Sequence, residues 1–379
     1  MVASAQKIIL SGYYGFRNSG DEAVLQSILN ALDKESEASG IVFKPVVLSI
    51  DPEWTSVTYG VEAVHRMKLG EVRRAIADSV GLISGGGSLL QDVTSPKTIP
   101  YYLGVIKLAQ WMGKPTFIYA QGVGPVNRKL FHPLIKSVLR KCAYISVRDE
   151  QSRTLLGQIG LEQSRIAVVP DPVMGLALPK GSAAPDRTHA GTESSLPTVG
   201  ISVRFWEQDR RELDALAEGL IKACGEMPLH LRFLPFHHPS DNEASRYVMS
   251  KLEAAVKDKG GAVSFCEDAL HPMQMLQEVA GCDALIGMRL HSLIYAAGRR
   301  VPLMGVSYDP KIDQFLRRID CKPVGATASL DSGSVAAELL KLLRTGESWK
   351  LEREPLIAGL VSEAEAPARQ IGQYFRHKG

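Results

Sequence analysis

The stretch KIILSGYYGFRNSGDEAVLQSILNAL (Lys7 to Leu32) carries the signal that decides the fold. KIIL is an apolar, β-branched run of strand length, the glycines at 12, 15 and 20 permit tight turns, and Asp21 to Leu32 spaces its apolar residues at helical period. The unit is strand, glycine-rich loop, helix. It recurs in VFKPVVLSI (Val42 to Ile50), VGLISGGG (Val80 to Gly87), PTFIYAQG (Pro115 to Gly122), a helix near Arg128 to Cys142, YISVRD (Tyr144 to Asp149) and IAVVPDPV (Ile166 to Val173). Strands alternating with helices imply a parallel sheet covered on both faces, so residues 1–178 read as one α/β, Rossmann-like half.

Between Pro179 and Pro197 the chain carries only small, polar and proline residues apart from Leu196, which reads as a linker or mobile loop. The alternation then restarts with TVGISVR (Thr198 to Arg204), LHLRFLPF (Leu229 to Phe236), AVSF (Ala262 to Phe265), DALIG (Asp283 to Gly287) and VPLMGVS (Val301 to Ser307). A second Rossmann-like half is expected over 198–351, facing the first across a cleft. Residues 352–379 read as a helical tail, with a return across the hinge as one option for its docking.

A length of 379 residues suits two such cores. With 45% hydrophobic and 22% charged residues the composition is that of an ordinary globular chain, and a net charge of +3 without a nucleic-acid motif argues against a nucleic-acid partner. The five cysteines lack CxxC spacing and read as buried reduced thiols. No apolar run approaches the ~20 residues of a membrane span, and MVASAQKIIL lacks the apolar region of a signal peptide, so a cytoplasmic location is expected.

In open α/β sheets ligands bind beyond the carboxyl ends of the strands. After the first strand, Gly15, Asn18, Asp21 and Glu22 stand where a helix N-terminus could meet a sugar or phosphate; Asn18 and Asp21 are also good helix caps. The glycine spacing is not GxGxxG, which disfavours a dinucleotide. Gly86 and Gly87 allow close approach either of a ligand or of a packing helix, and Gln121 ends a strand with the same ambiguity. Arg148 offers a fork of donors suited to carboxylate or phosphate, unless Asp149 takes it as a salt-bridge partner. Asp171, in PDP, is a candidate base or a turn residue.

In the second half Arg204 ends one strand, and His237 and His238 end the next. GMRLHSLIYAAG (Gly287 to Gly298) then places Arg289, His291 and Ser292 at a helix N-terminus, a compact anion site. GVSYDPK adds Lys311, either a third cation or a solvated lysine. Adjacent histidines on a strand point to opposite faces, so no metal is expected.

The motifs GYYGFRNSGDEA, SGGGSLLQD, AQGVGP, SVRD, DPV, GMRLHS and GVSYDPK, in this order, resemble the polysaccharide pyruvyltransferase family, and within it the CsaB-type cell-wall polymer pyruvyltransferases. The resemblance implies a GT-B-like pair of domains and phosphoenolpyruvate as co-substrate, with no other cofactor. It also implies a ketal joining pyruvate to two sugar hydroxyls. The acceptor it implies is a lipid-linked, N-acetylmannosamine-containing precursor of secondary cell-wall polymer, at the inner face of the plasma membrane. On this reading Arg148, Arg204, Arg289 and Lys311 hold the two anions of phosphoenolpyruvate. His291 protonates the methylene carbon or assists phosphate departure, as an imidazole of pKa about 6.5 can, and Asp171 or Asp21 takes the acceptor's proton.

For a lipid-linked acceptor the helix near Arg128 to Cys142 is the membrane-facing candidate, although every covering helix of such a fold needs an apolar face for its own core. Two rivals remain. A nucleotide-sugar glycosyltransferase would share the architecture, and a non-catalytic sugar or phosphate binder would share the site.

Overall fold

The computed structural model describes residues 5–93, 95–178, 196–267, 269 and 271–377. The linker expected between Pro179 and Pro197 lies outside them except for its last two residues. Packing divides the chain into two units, Met1–Leu176 with Leu360–Gly379, and Ala177–Gly359.

The first unit is built from β1 (Gln6–Tyr14), α1 (Ser19–Ser39), β2 (Phe43–Ser49), α2 (Pro52–Tyr59), β3 (Glu62–His65), α3 (Leu69–Ala77), β4 (Gly81–Gly85), α4 (Thr98–Trp111), β5 (Thr116–Gln121), α5 (Phe131–Leu139), β6 (Tyr144–Val147), α6 (Glu150–Ile159) and β7 (Ile166–Val168). The strands form one parallel sheet in the order β3-β2-β1-β4-β5-β6-β7. Leu10 of β1 sits opposite Val47 of β2 on one side and Ile83 of β4 on the other. Both faces of such a sheet must be covered, which is why β4 and β5 are buried along their whole length.

Helix α1 follows from its sequence. Asn18 caps it, Asp21 and Glu22 place negative charge at its positive end, and Gly40 closes it in the left-handed conformation at φ 73°. The face of α5 once offered to a membrane is spent on the core: Phe131, Ile135, Val138 and Leu139 are buried with Cys142. No helix among the described residues is long and apolar enough to cross a membrane.

The second unit contains β8 (Thr198–Ser202), α7 (Arg211–Glu226), β9 (His230–Phe233), α8 (Ser240–Asp258), β10 (Ala262–Phe265), α9 (Pro272–Ala280), β11 (Ala284–Gly287), α10 (Leu290–Gly298), β12 (Leu303–Ser307), α11 (Pro310–Arg318), β13 (Gly325–Ala326) and α12 (Ser332–Arg344). Its parallel sheet runs β10-β9-β8-β11-β12-β13, the same winding as the first six strands of the other unit.

Helix α13 (Gly346–Ala364) follows, and α14 (Ala366–Arg376) belongs to the first unit. There Phe375 meets Phe43 edge-on, Tyr374 meets Phe117, and Lys34 pairs with Glu365 at 2.8 Å. Four cysteines are buried as expected; Cys321 is half-buried and accepts a bond from Arg353 Nε at 3.2 Å.

Candidate functional site

In both sheets the winding reverses between the first and fourth strands, so the ligand crevice of each unit lies beyond the carboxyl ends of those two strands. In the first unit these are β1 and β4. Tyr14 Oη donates to the Gly85 carbonyl at 2.9 Å and ties the two strand ends together. The loop after β1 is held by Glu22, which is buried: Gly15 N–H (2.9 Å) and Arg17 N–H (3.3 Å) donate to Oε1, and Tyr59 Oη donates to Oε2 at 2.8 Å. Burial pushes the Glu22 carboxyl up, and these bonds oppose it. Glu22 was expected to bind substrate; its oxygens are committed to bracing the loop. Gly15, with φ 81°, has no room for a side chain, since a Cβ would lie 2.1 Å from Ser49 Oγ. Asn18 accepts from Gly20 N–H at 3.1 Å and is a cap.

The braced loop presents two aromatic rings that the sequence reading passed over. Tyr13 and Phe16 stack with centroids 3.9 Å apart and planes within 3°, each 39% exposed. Beside them the buried Arg66 lies 5.4 Å from the Phe16 ring and 4.4 Å from Tyr101, its Nη1 donating to the Gly12 carbonyl. The signal available in sequence was the pair of aromatics flanking a turn glycine at a strand end.

The glycines after β4 serve packing. A Cβ on Gly86 would sit 1.8 Å from Val24 Cγ1, and one on Gly87 would sit 2.6 Å from Asp21 Oδ1, so both let the first turns of α1 close on the loop. The ligand-approach reading of Gly86 and Gly87 gives way to this one. Asp21 is thereby held against the loop, half-buried. Burial raises its carboxyl to about 7, Arg148 lowers it, and Glu22 and Asp171 raise it further.

Arg148 is fixed from two sides: Nη2 donates to Ser88 Oγ at 2.7 Å and Nη1 to Asp171 Oδ2 at 3.3 Å. Asp149, the partner considered from sequence, pairs with Arg148 Nε at 3.9 Å and also caps α6 by accepting from Ser152 N–H. Asp171 also accepts Val173 N–H on Oδ1, so it acts as a brace for Arg148 and a turn residue; the base role suits it less than Asp21. Gln121 is fully buried, with no hydrogen-bond partner among the described residues at either end of its amide.

In the second unit the crevice lies at the ends of β8 and β11. Ser202 Oγ is buried there without a hydrogen-bond partner among the described residues. Arg204 donates from Nη1 to Tyr308 Oη at 2.9 Å and lies over the rings of Tyr308 and Trp206, while its Nε–H is sealed from solvent with no acceptor among the described residues. An unsatisfied, buried guanidinium N–H is costly, and an anion beside the guanidinium offsets that cost through its charge.

Arg289 caps the start of α10, yet one edge of its guanidinium is taken: Nε and Nη2 both donate to the Asp241 carboxylate, with Nε at 3.0 Å from Oδ2. Asp241 is fully buried and accepts Phe236 N–H and His237 N–H as well, which locks the loop after β9 to the loop after β11. A fully available Arg289 was expected; only Nη1 remains for a ligand. Ser292, expected to touch substrate, is buried and donates to the Arg289 carbonyl at 2.7 Å, a helix-terminus bond.

His291 stands in the first turn of α10, half-buried. His237 is depressed by burial, then by Arg289; Asp241 opposes this, and Arg204 and His238 depress it further. Those influences bring Arg204, Arg289, His237 and His238 into one cationic neighbourhood. Lys311 is exposed on the first turn of α11, capped by Asp309. Among the described residues no three His, Cys, Asp or Glu side chains are grouped to hold a metal ion.

A family model described as polysaccharide pyruvyl transferase matches residues 18–310. No curated protein matches the sequence. Similar solved structures include a glycosyltransferase from Rickettsia africae (11% identity, TM-score 0.65, covering 99% of this chain and 98% of that one). A UDP-GlcNAc 2-epimerase from Neisseria meningitidis bound to UDP-GlcNAc is similar at 10% identity and TM-score 0.62, covering 96% and 99%. HepE from Anabaena in complex with UDP and glucose is similar at 11% identity and TM-score 0.58, covering 98% and 100%. At such identities these show the fold, a GT-B-like pair of parallel-sheet α/β domains, and nothing of the chemistry.

Proposed function

We propose, since this chain belongs to the polysaccharide pyruvyl transferase family, that it moves a pyruvyl group from phosphoenolpyruvate to two hydroxyls of a saccharide and forms a ketal. The observation that carries this reading is the second unit's crevice. There Arg204 keeps a desolvated N–H without an acceptor among the described residues, Arg289 keeps Nη1, and the two buried carboxylates at hand are engaged, Asp241 by Arg289 and Glu212 Oε1 by the Trp206 and Glu207 N–H groups. A crevice that presents these guanidinium groups while its buried carboxylates are engaged by the protein suits a small dianionic or trianionic donor. A nucleotide sugar would ask for a carboxylate or amide to read ribose and base.

In this proposal Arg204, Arg289 and Lys311 offset the charge of phosphoenolpyruvate, with Arg148 as a further cation, and His291 supplies the proton that turns the methylene into a methyl group. The first acceptor hydroxyl adds at C2, the C2–O bond to phosphate breaks, and the second hydroxyl closes the ketal. Of the two hydroxyl protons, one balances that on the methyl group and one leaves with phosphate. Asp21 is the preferred base for a hydroxyl, because it is the crevice carboxylate of the first unit without a committed hydrogen bond. The stacked Tyr13 and Phe16 offer the flat apolar surface on which the C–H face of a sugar ring packs. The acceptor we favour is the lipid-linked, N-acetylmannosamine-containing precursor named above, used at the cytoplasmic face of the membrane.

The test is a donor comparison. Inorganic phosphate should be released from phosphoenolpyruvate only with acceptor present, and His291→Ala should lower that rate by at least ~10²-fold. Release of nucleoside diphosphate from a nucleotide sugar would replace this reading with the glycosyltransferase one. A phosphoenolpyruvate complex that forms without turnover would make the chain a binding protein.

A further inference from the structure

At the other end of α10 the second unit holds a cavity of about 540 Å³, lined in part by Arg299, Arg300, Arg344, Lys350, Asp283 and Glu347. Five of these six charged side chains have partners within the unit. Arg300 is gripped by Glu354 through two bonds, at 2.9 and 2.8 Å. Arg344 pairs with Glu226 at 3.5 Å, Lys350 with Glu347 at 2.7 Å, and Asp283 accepts Thr198 N–H at 2.8 Å. Arg299 is the exception. Its backbone N–H closes the C-terminal turn of α10, but its Nε–H is sealed from solvent and meets no acceptor among the described residues.

A guanidinium cannot escape such a position by losing its proton, because its charge persists at any physiological pH. The burial of Arg299 and the neighbouring charge of Arg300 both work against its charged form, so the fold holds it at a cost that an incoming anion would relieve. Protein carboxylates do not do this here: Glu354 is turned to Arg300, Glu347 to Lys350, and Asp283 to the backbone.

We propose that this cavity is a binding site for a phosphate-class oxyanion, with Arg299 as its main ligand. A tetrahedral oxyanion presents oxygens to the Nη groups of the Arg299 guanidinium, which are not sealed, and further oxygens to the cations around it, and its charge offsets the cost of the buried guanidinium. The site is separate from the donor crevice. Arg289 and His291 stand at the N-terminal end of α10, and a nine-residue helix puts its C-terminal end about 13 Å away.

Thermal melting in inorganic phosphate, against chloride at equal ionic strength, tests this. Wild-type protein should gain about 3–5 °C for each tenfold increase in phosphate above the dissociation constant. Arg299→Gln should lose at least half of that gain while keeping pyruvyl transfer from phosphoenolpyruvate within twofold of wild type. Arg299→Lys, which keeps the charge without the fork and is the milder change if the glutamine variant folds poorly, should bind phosphate at least tenfold more weakly. An undiminished phosphate response in either variant overturns the proposal. So does a parallel loss of transfer, since the anion would then be acting at the donor crevice.

Discussion

Asp21→Asn is expected to cut pyruvyl transfer by about 10²–10⁴-fold and, at pH 8, to raise the melting temperature. The two effects share one cause. Asp21 lies against Gly87 at the start of α1, where burial raises its carboxyl from 3.8 to about 7 even with Arg148 nearby. Because the folded pKa lies above the unfolded one, the folded state binds the proton more tightly. Stability from this group is therefore undiminished below about pH 4, falls as the pH rises through 4 to 7, and carries the full cost above 7. That cost is on the order of 4 kcal/mol, several degrees of melting temperature for a chain of this size. Asparagine has no such ionisation, so its melting temperature should be flatter between pH 4 and 7.

A carboxyl serving only as a helix-terminus charge behaves in the opposite way, since its loss destabilises by about 0.3–1 kcal/mol. The sign of the difference at pH 8 thus separates the two roles. The rate carries a further mark: kcat/KM should rise with pH to a plateau above about 7 in wild-type protein, and that limb should vanish in the variant. The groups around Asp21 that could blur the limb are Arg148, Asp171, Glu22, Tyr14 and Tyr102. Burial pushes both tyrosines up, away from 7; it also raises Glu22, which the Tyr59 hydroxyl and loop N–H groups oppose, and Asp171 is paired with Arg148. Unchanged transfer in Asp21→Asn would remove Asp21 from the mechanism.

Much of the fold was legible because the signal is local. Strands buried on both faces must be continuous apolar runs, and KIIL, LISG and TFIYAQ are such runs. The edge strands are different: β3 (EAVH) is half-exposed and β13 spans two residues, so their apolar content falls below anything periodicity can register. Tyr14 and Tyr13 are neighbours, yet one is 1% exposed and bonded to Gly85 while the other is 39% exposed, a division made by the β1 pleat and the turn at Gly15. The triple glycine marked a close approach correctly. Its meaning depended on Val24 and Asp21, some sixty residues earlier, and no local pattern carries such information. The same holds for Ser292 and Glu22, whose polar atoms look available in sequence and are consumed by backbone groups in three dimensions.

The residue least visible in sequence is the one whose loss should cost the fold most. Asp241 reads as an ordinary acidic residue in the first turn of a helix, in PSDN, yet it is fully buried and takes bonds from Phe236 N–H, His237 N–H and the Nε and Nη2 of Arg289. Asp241→Asn keeps the shape but removes the charge, and its amide end turns N–H groups toward donors. The Arg289 charge is then left partly buried without its counterion, a change expected to cost about 3–5 kcal/mol and to lower the melting temperature accordingly.

Transfer should fall as well, because Arg289 and the His237 loop lose the group that fixes them together. Stability and function can be parted by replacing both members of the pair. In Asp241→Asn combined with Arg289→Met no uncompensated charge remains and the amide oxygen still accepts Phe236 N–H and His237 N–H, so the melting temperature should recover most of the loss while transfer stays low. If Asp241→Asn melts within about 1 kcal/mol of wild type, the pair is a surface-like contact. If instead the double variant regains transfer, Arg289 is no part of the donor site, and the crevice must draw its positive charge from Arg204 and Lys311.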